Sequence, residues 1–166
     1  MTQAPKSSPD ANIFIRAATS ADTLSIVRLI NAAFIVERFV FEGDRLSLEE
    51  TQAFMNVGQF LIAEDTSGLA GCVFVEIRKD RGYLGLLAVD PSRQGAGLGR
   101  KLMICAEDYF RTAGCRAVDL RVISPRTPLP PFYRRLGYVE VGTAPFSPAL
   151  HPKEPGHYIL MSKPLP

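Results

Sequence analysis

Tryptophan is absent from the chain, and histidine is nearly so, with two residues in 166. Cysteine is scarce and odd in number. Cys72, Cys105 and Cys115 show no metal or redox spacing, so neither a disulfide framework nor a zinc site is expected. An excess of either charge is also missing. Nineteen basic residues face 17 acidic ones, leaving +2 and no basic run to suit nucleic acid or an acidic membrane. No stretch approaches the roughly 18 consecutive apolar residues of a membrane span. The opening "MTQAPKSSPDA" has one lysine and no apolar core, so it is not read as a secretory signal. These absences predict a cytoplasmic protein without a metal, partnered by neither nucleic acid nor membrane.

What remains is an ordinary globular composition, 46% apolar and 22% charged, long enough for one domain with its own core. Residues 1–11, rich in Ser, Pro and Ala, are read as a flexible tail, and 12–166 as the domain. "NIFIRAA" alternates as a first strand. Thr19 or Ser20 then caps a helix whose apolar face is Leu24, Val27, Ile30, Ala33 and Phe34. After the turn-rich "FEGDRLS", Ser47 and Glu50 form a capping box for a second helix that ends at Gly58. Three strands follow, with "TSG" and "RG" as hairpin signals between them. The spacing of Leu98, Leu102, Cys105, Tyr109 and Ala113 predicts a long helix stopped by Gly114. A strand at "RAVDLRVI", a short helix near 131–136 ending at Gly137, and strands at "YVEVGT" and "HYILMSK" complete the pattern. The order describes a single mixed α/β domain.

Chemistry concentrates at "VDPSRQGAGLGR", residues 89–100, between a strand's carboxyl end and a helix's amino end. Unpaired N–H groups and the helix dipole favour an anion there, and glycines let it reach the backbone. One or two glycines would suit a plain turn. Three, flanked by Arg93, Gln94, Arg100 and Lys101, favour a phosphate-bearing ligand. The string is not a P-loop, which needs Gly-x-x-x-x-Gly-Lys-Ser/Thr. Nor is it a dinucleotide fingerprint, since the spacing is Gly-x-Gly-x-Gly and Asp119 lies inside a strand instead of at its end.

Gln94-x-x-Gly97-x-Gly99, after a strand ending "LAVDP", resembles the signature of the GCN5-related N-acetyltransferases (GNAT superfamily). "PFYRRLGYVEVG" at 131–142 resembles that family's second conserved segment, and the likeness extends over roughly residues 12–163. The resemblance implies a mostly antiparallel central sheet flanked by helices, opening into a cleft at 84–90. It implies acetyl-coenzyme A as co-substrate. Its pyrophosphate would lie on the amides of Gln94, Gly95, Ala96, Gly97, Leu98, Gly99 and Arg100, and its pantetheine would pair with Leu87, Ala88 and Val89. The partner implied is a small-molecule or peptide amine, and a homodimer is compatible with it.

Acetyl transfer to an amine sets its own demands. A lysine-like amine with pKa ~10 must lose a proton before it attacks, and the departing thiolate needs a hydrogen bond or a proton. The motif offers Tyr133 for the second task, against packing beside Phe132. For the first, Glu76 is the leading candidate, with Glu37, Glu42 and Asp44 as alternatives; each also suits a surface or structural carboxylate. Arg134, Arg135 and Lys101 are candidates for coenzyme A phosphates or for a solvated face, and His151 and His157 are weak catalytic candidates. Arg126 stands where many relatives carry asparagine. The alternative function is a module that binds acyl-coenzyme A without catalysis.

Overall fold

The computed structural model describes residues 12–166; the expected tail at 1–11 lies outside the described residues. β1 (Phe14–Ala17) leads into α1 (Thr23–Ala33), which a 3-10 turn, Phe34–Glu37, prolongs. α2 (Leu48–Val57) is followed by the meander β2 (Gln59–Asp65), β3 (Gly68–Arg78) and β4 (Arg81–Val89). α3 (Leu98–Thr112), β5 (Ala117–Ile123), α4 (Leu129–Arg135), β6 (Val139–Pro145) and β7 (His157–Pro164) complete the chain. The strands form one sheet in the order β1-β2-β3-β4-β5-β7-β6. Every neighbouring pair is antiparallel except β4 and β5. This is the mixed, mostly antiparallel architecture expected.

Helices cover both faces of the sheet. Under α3, Leu102, Met103 and Phe110 pack with Val73, Val75, Leu84 and Val118; under α1, Ile26 and Ile30 pack with Phe60, Ile62 and Phe74. The expected face of α1 is corrected. Ile26, Leu29 and Ile30 are buried while Leu24 is 51% exposed. The helix carries two apolar stripes, and Ile26, Leu29, Ile30 and Ala33 follow the i, i+3, i+4, i+7 rule more strictly. The capping box of α2 forms as expected. Ser47 Oγ accepts from the Glu50 amide at 3.0 Å, and Glu50 accepts from the Ser47 amide at 2.7 Å. Such a cap stabilises a helix by about 1 kcal/mol.

Gly82, read as a hairpin signal, serves another purpose, whereas Gly58 ends α2 as expected but in extended backbone. The β3–β4 turn falls at Lys79–Asp80, with Lys79 in the left-handed region, not at Arg81–Gly82. A Cβ on Gly82 would meet the Phe110 ring at 2.5 Å, so this glycine lets α3 approach the sheet. Gly58 is extended, and a Cβ there would meet the Val75 carbonyl at 2.4 Å. By contrast, Gly114 and Gly137 adopt the positive φ expected of helix stops, although α4 begins two residues earlier than the sequence suggests.

Candidate active site

The site begins where two parallel strands part. β4 pairs with β5 only through Arg81, Gly82 and Tyr83, opposite Ala117, Val118 and Asp119. Arg81 closes this end: its guanidinium donates two 2.7 Å hydrogen bonds to Asp119 and one of 3.0 Å to Ser162 Oγ. From Leu84 onward, the side of β4 facing β5 has no strand partner. A bulge helps turn the strand away. Gly85 lies opposite Phe74 and Ala88 opposite Cys72, so Leu86 and Leu87 together face Val73. Leu86 adopts φ 51°, a left-handed conformation that is unfavourable for leucine. Leu87, Ala88 and Val89 thereby lie on the unpartnered edge of β4, in the segment 84–90 where a cleft is expected.

The glycine loop follows directly. Asp90 accepts from the Ser92 amide at 2.8 Å and caps the 3-10 turn Pro91–Arg93. Arg93, read from the sequence as a flank for an anion, instead donates to Asp65 at the end of β2 and fastens the loop to the sheet. Gln94 Nε2 reaches back to the Val89 carbonyl at 3.2 Å. Gly95 and Gly97 hold φ 88° and 79°, where a side chain would be strained. None of the amide N–H groups from Gln94 to Arg100 donates to another described residue. Gly97 is the N-cap of α3, so these free donors gather at the positive end of a 15-residue helix. The arrangement fits a pyrophosphate. Among the described residues, no group of three or more His, Cys, Asp or Glu side chains could hold a metal.

α4 forms the opposite wall. A Cβ on Gly99 would lie 3.8 Å from both Phe132 and Val89, so the glycine turn, the strand edge and α4 meet there. Tyr133 is buried, with its ring edge-on to Phe132 and Tyr138. No described residue hydrogen-bonds its hydroxyl. Burial first, then the charge of Glu37, pushes this phenol well above its ordinary range, and Arg126 partly opposes them. Glu37 ends the turn after α1, and Arg126 precedes α4. They form an ion pair at 3.5 Å. Burial raises the Glu37 carboxyl, with Arg126 and Arg45 pulling it down.

The other candidates separate. Glu76, half-buried on β3 opposite Tyr83, accepts from Arg78 at 2.8 Å, and Arg78 lies over the Tyr83 ring. Glu42 and Asp44 are exposed, Asp44 pairing with Arg38. Arg134 is engaged by Glu140, Arg135 is exposed, and His151 and His157 are exposed, His151 in the loop after β6 and His157 at the start of β7, where its carbonyl accepts from the Ser124 amide at 2.8 Å. Asp119 is confirmed as a strand residue holding Arg81. Sequence reasoning named Glu37 and Arg126 separately and missed their pairing, for which no local signal exists. It missed the Asp65 anchor for the same reason.

A family model described as the acetyltransferase (GNAT) family matches residues 25–138. The chain belongs to that family. A mycothiol acetyltransferase of Saccharopolyspora erythraea is 32% identical over 129 residues, 75% of this chain and 43% of the relative. A mycothiol acetyltransferase of Kineococcus radiotolerans is 35% identical over 104 residues, 61% of this chain and 32% of the relative. The GNAT chain thus spans less than half the length of these curated relatives. Its fold matches that of Ard1 from Thermoplasma volcanium, with TM-score 0.77 at 16% identity over 94% of this chain and 99% of that one. It also matches spermidine N-acetyltransferase from Vibrio cholerae, solved with CoA and spermine, with TM-score 0.73 at 22% identity, over 93% and 99% of the two chains. No helix among the described residues is long and apolar enough to cross a membrane.

Proposed function

We propose that the chain transfers an acetyl group from acetyl-coenzyme A to a primary amine by direct attack, with both substrates bound. The observation that carries this reading is the run of unpaired N–H groups from Gln94 to Arg100, set beside the unpartnered edge of β4. When bound, acetyl-coenzyme A supplies the thioester whose acetyl group moves. The amides of Gln94 through Arg100 hold its diphosphate, and Leu87, Ala88 and Val89 offer backbone groups to its extended arm. Tyr133 keeps its proton at neutral pH and donates it toward the departing sulfur. Glu76, the candidate read from the sequence, and Glu37 are the carboxylates proposed to take the amine's proton.

The acceptor is read as a small molecule with a cationic amine. A buried carboxylate at Glu37, with Glu42 and Asp44 on the loop beyond it, favours a positive charge. The curated relatives, named for mycothiol, support a small acceptor over a protein one. The test is consumption of acetyl-coenzyme A against a panel of amines, with acetylated products identified by mass spectrometry. Turnover of small polyamines or lysine-like amines ahead of neutral aromatic amines is the expected result. Tight binding of acetyl-coenzyme A with no product across the panel would make the chain a non-catalytic module instead.

A further inference from the structure

Building on the acetyl-transfer reading, we infer that Glu37 takes the proton from the acceptor amine and that Arg126 is its positioning partner. The case rests on a contrast between two equally buried glutamates. Glu37 is 7% exposed and Glu107 is 5% exposed, a degree of burial rare for glutamate unless it is paired. Glu107 is saturated. It accepts from the Tyr138 hydroxyl at 3.0 Å and from Lys163 Nζ at 3.1 and 3.0 Å, tying α3 to the last strands. Glu37 makes no side-chain hydrogen bond to any described residue, and its contact with Arg126 at 3.5 Å is an ion pair alone. Its oxygens therefore keep unused acceptor capacity at a point that solvent still touches, since none of the described side-chain oxygens is both fully buried and without a hydrogen-bond partner. Permanent structural use would consume that capacity, as it does at Glu107. A group that arrives and leaves would not.

Location supports the same role. The turn bearing Glu37 continues α1, which packs on the face of β3 and β4 opposite α3. Arg126 is fixed in the turn that starts α4, its amide donating to Ile123 at 3.1 Å and its carbonyl accepting from Leu129 at 3.0 Å. The ion pair therefore links the turn after α1 to the turn that starts α4, the helix that carries Tyr133. Glu76 lacks this freedom, because Arg78 already occupies it at 2.8 Å.

The charged and titratable groups facing Glu37 are Arg126 before α4, Arg45 before α2 and Tyr133 on α4. Burial raises the carboxyl above its ordinary value, and the two arginines oppose that rise. The proton balance closes. The ammonium gives one proton to Glu37, the nitrogen–carbon bond forms, the carbon–sulfur bond breaks, and the sulfur takes a proton from Tyr133. The second proton leaving nitrogen restores Tyr133, and Glu37 returns its own to solvent, so one proton is released per turnover.

The experiment is the pH profile of kcat/KM for wild type, E37Q, R126M and the E37Q/R126M double variant, with acetyl-coenzyme A affinity measured by calorimetry for each. The double variant leaves no unpaired arginine, so it stays interpretable if E37Q alone does not fold. Expected results are a loss of roughly 10²-fold or more in E37Q and in the double variant, with the ascending limb gone. R126M should move that limb to higher pH, which loss of mere packing would not do, while acetyl-coenzyme A affinity stays unchanged. A folded double variant with the wild-type rate and limb would overturn the proposal. So would a limb that disappears in E76Q and persists in E37Q. If wild type binds acetyl-coenzyme A but acetylates no amine, the acetyl-transfer reading falls, and this proposal with it.

Discussion

A phenol with an ordinary pKa near ~10 is already protonated at neutral pH, and at Tyr133 burial and the Glu37 charge push it higher still. Tyr133 therefore keeps its proton at neutral pH, which suits the proposed donor role and not that of a base. A thiol of pKa ~8.5 leaves readily, so the help required is limited, and proton donation of this kind is worth about 10²-fold at the low end. Tyr133→Phe keeps the ring, and with it the edge-on contacts to Phe132 and Tyr138. Turnover should fall by roughly 10²-fold, with acetyl-coenzyme A affinity and melting temperature unchanged. Steady-state kinetics beside calorimetry would show it, and wild-type turnover under conditions where chemistry limits the rate would return Tyr133 to packing alone. Packing is compatible with the proposed donation, because the ring is buried while the hydroxyl has no hydrogen-bond partner among the described residues. Tyr133 was legible in "PFYRRLGY" through the family resemblance. The Glu37–Arg126 pair was not, since each residue's sequence neighbours carry no trace of the other.

At the scale of elements, the turn from β4 into α3 is a positively biased concavity pinned from behind by Arg93 and Asp65. Gly97→Glu would set a negative side chain against the diphosphate proposed to bind there and place glutamate at φ 79°. Affinity for coenzyme A should fall more than tenfold, or about 1.4 kcal/mol. Gly97→Asn, which tolerates that φ better and adds no charge, should lose much less. Equal calorimetric affinities for wild type and a folded Gly97→Glu would remove the loop from the site. This turn could be read from sequence because several local signals agree: a strand, a proline, three glycines and an amphipathic helix. Gly58 and Gly82 show the limit of such reading. A glycine that supplies a positive φ and one that admits a neighbouring ring are the same letter. Only the packing of Phe74 or Phe110 against the backbone tells them apart. The face of α1 failed similarly, since two apolar stripes share one helix and the sheet selects between them.

Across the whole molecule, the cleft depends on strands that pair at one end and part at the other. Neither that splay nor the insertion of β7 between β5 and β6 follows from local pattern, because both are contacts between distant segments. The closed end is held by Arg81 on Asp119, and this has a consequence for acid stability. The Arg81 hydrogen bonds hold the Asp119 carboxyl below its ordinary value of 3.8, although burial opposes them. Asp22, Asp65 and Asp90 are held low in the same manner, by Arg16, Arg93 and Ser92 respectively. For such groups the unfolded chain binds protons more tightly. Their contribution is complete above 3.8 and is lost as pH falls through the lowered folded values. Glu37 has the opposite sign. Its raised carboxyl makes stability decline as pH rises from 4.5 to its folded value, and level off beyond. Melting temperature should therefore climb as pH rises to about 4, then decline above 4.5 until the raised Glu37 carboxyl has ionised. Asp119→Asn should flatten the acid climb, and Glu37→Gln should remove the decline. Circular-dichroism melts across pH would decide it. An Asp119→Asn variant whose acid slope matches wild type would mean that the clamp does not hold the closed end of the cleft.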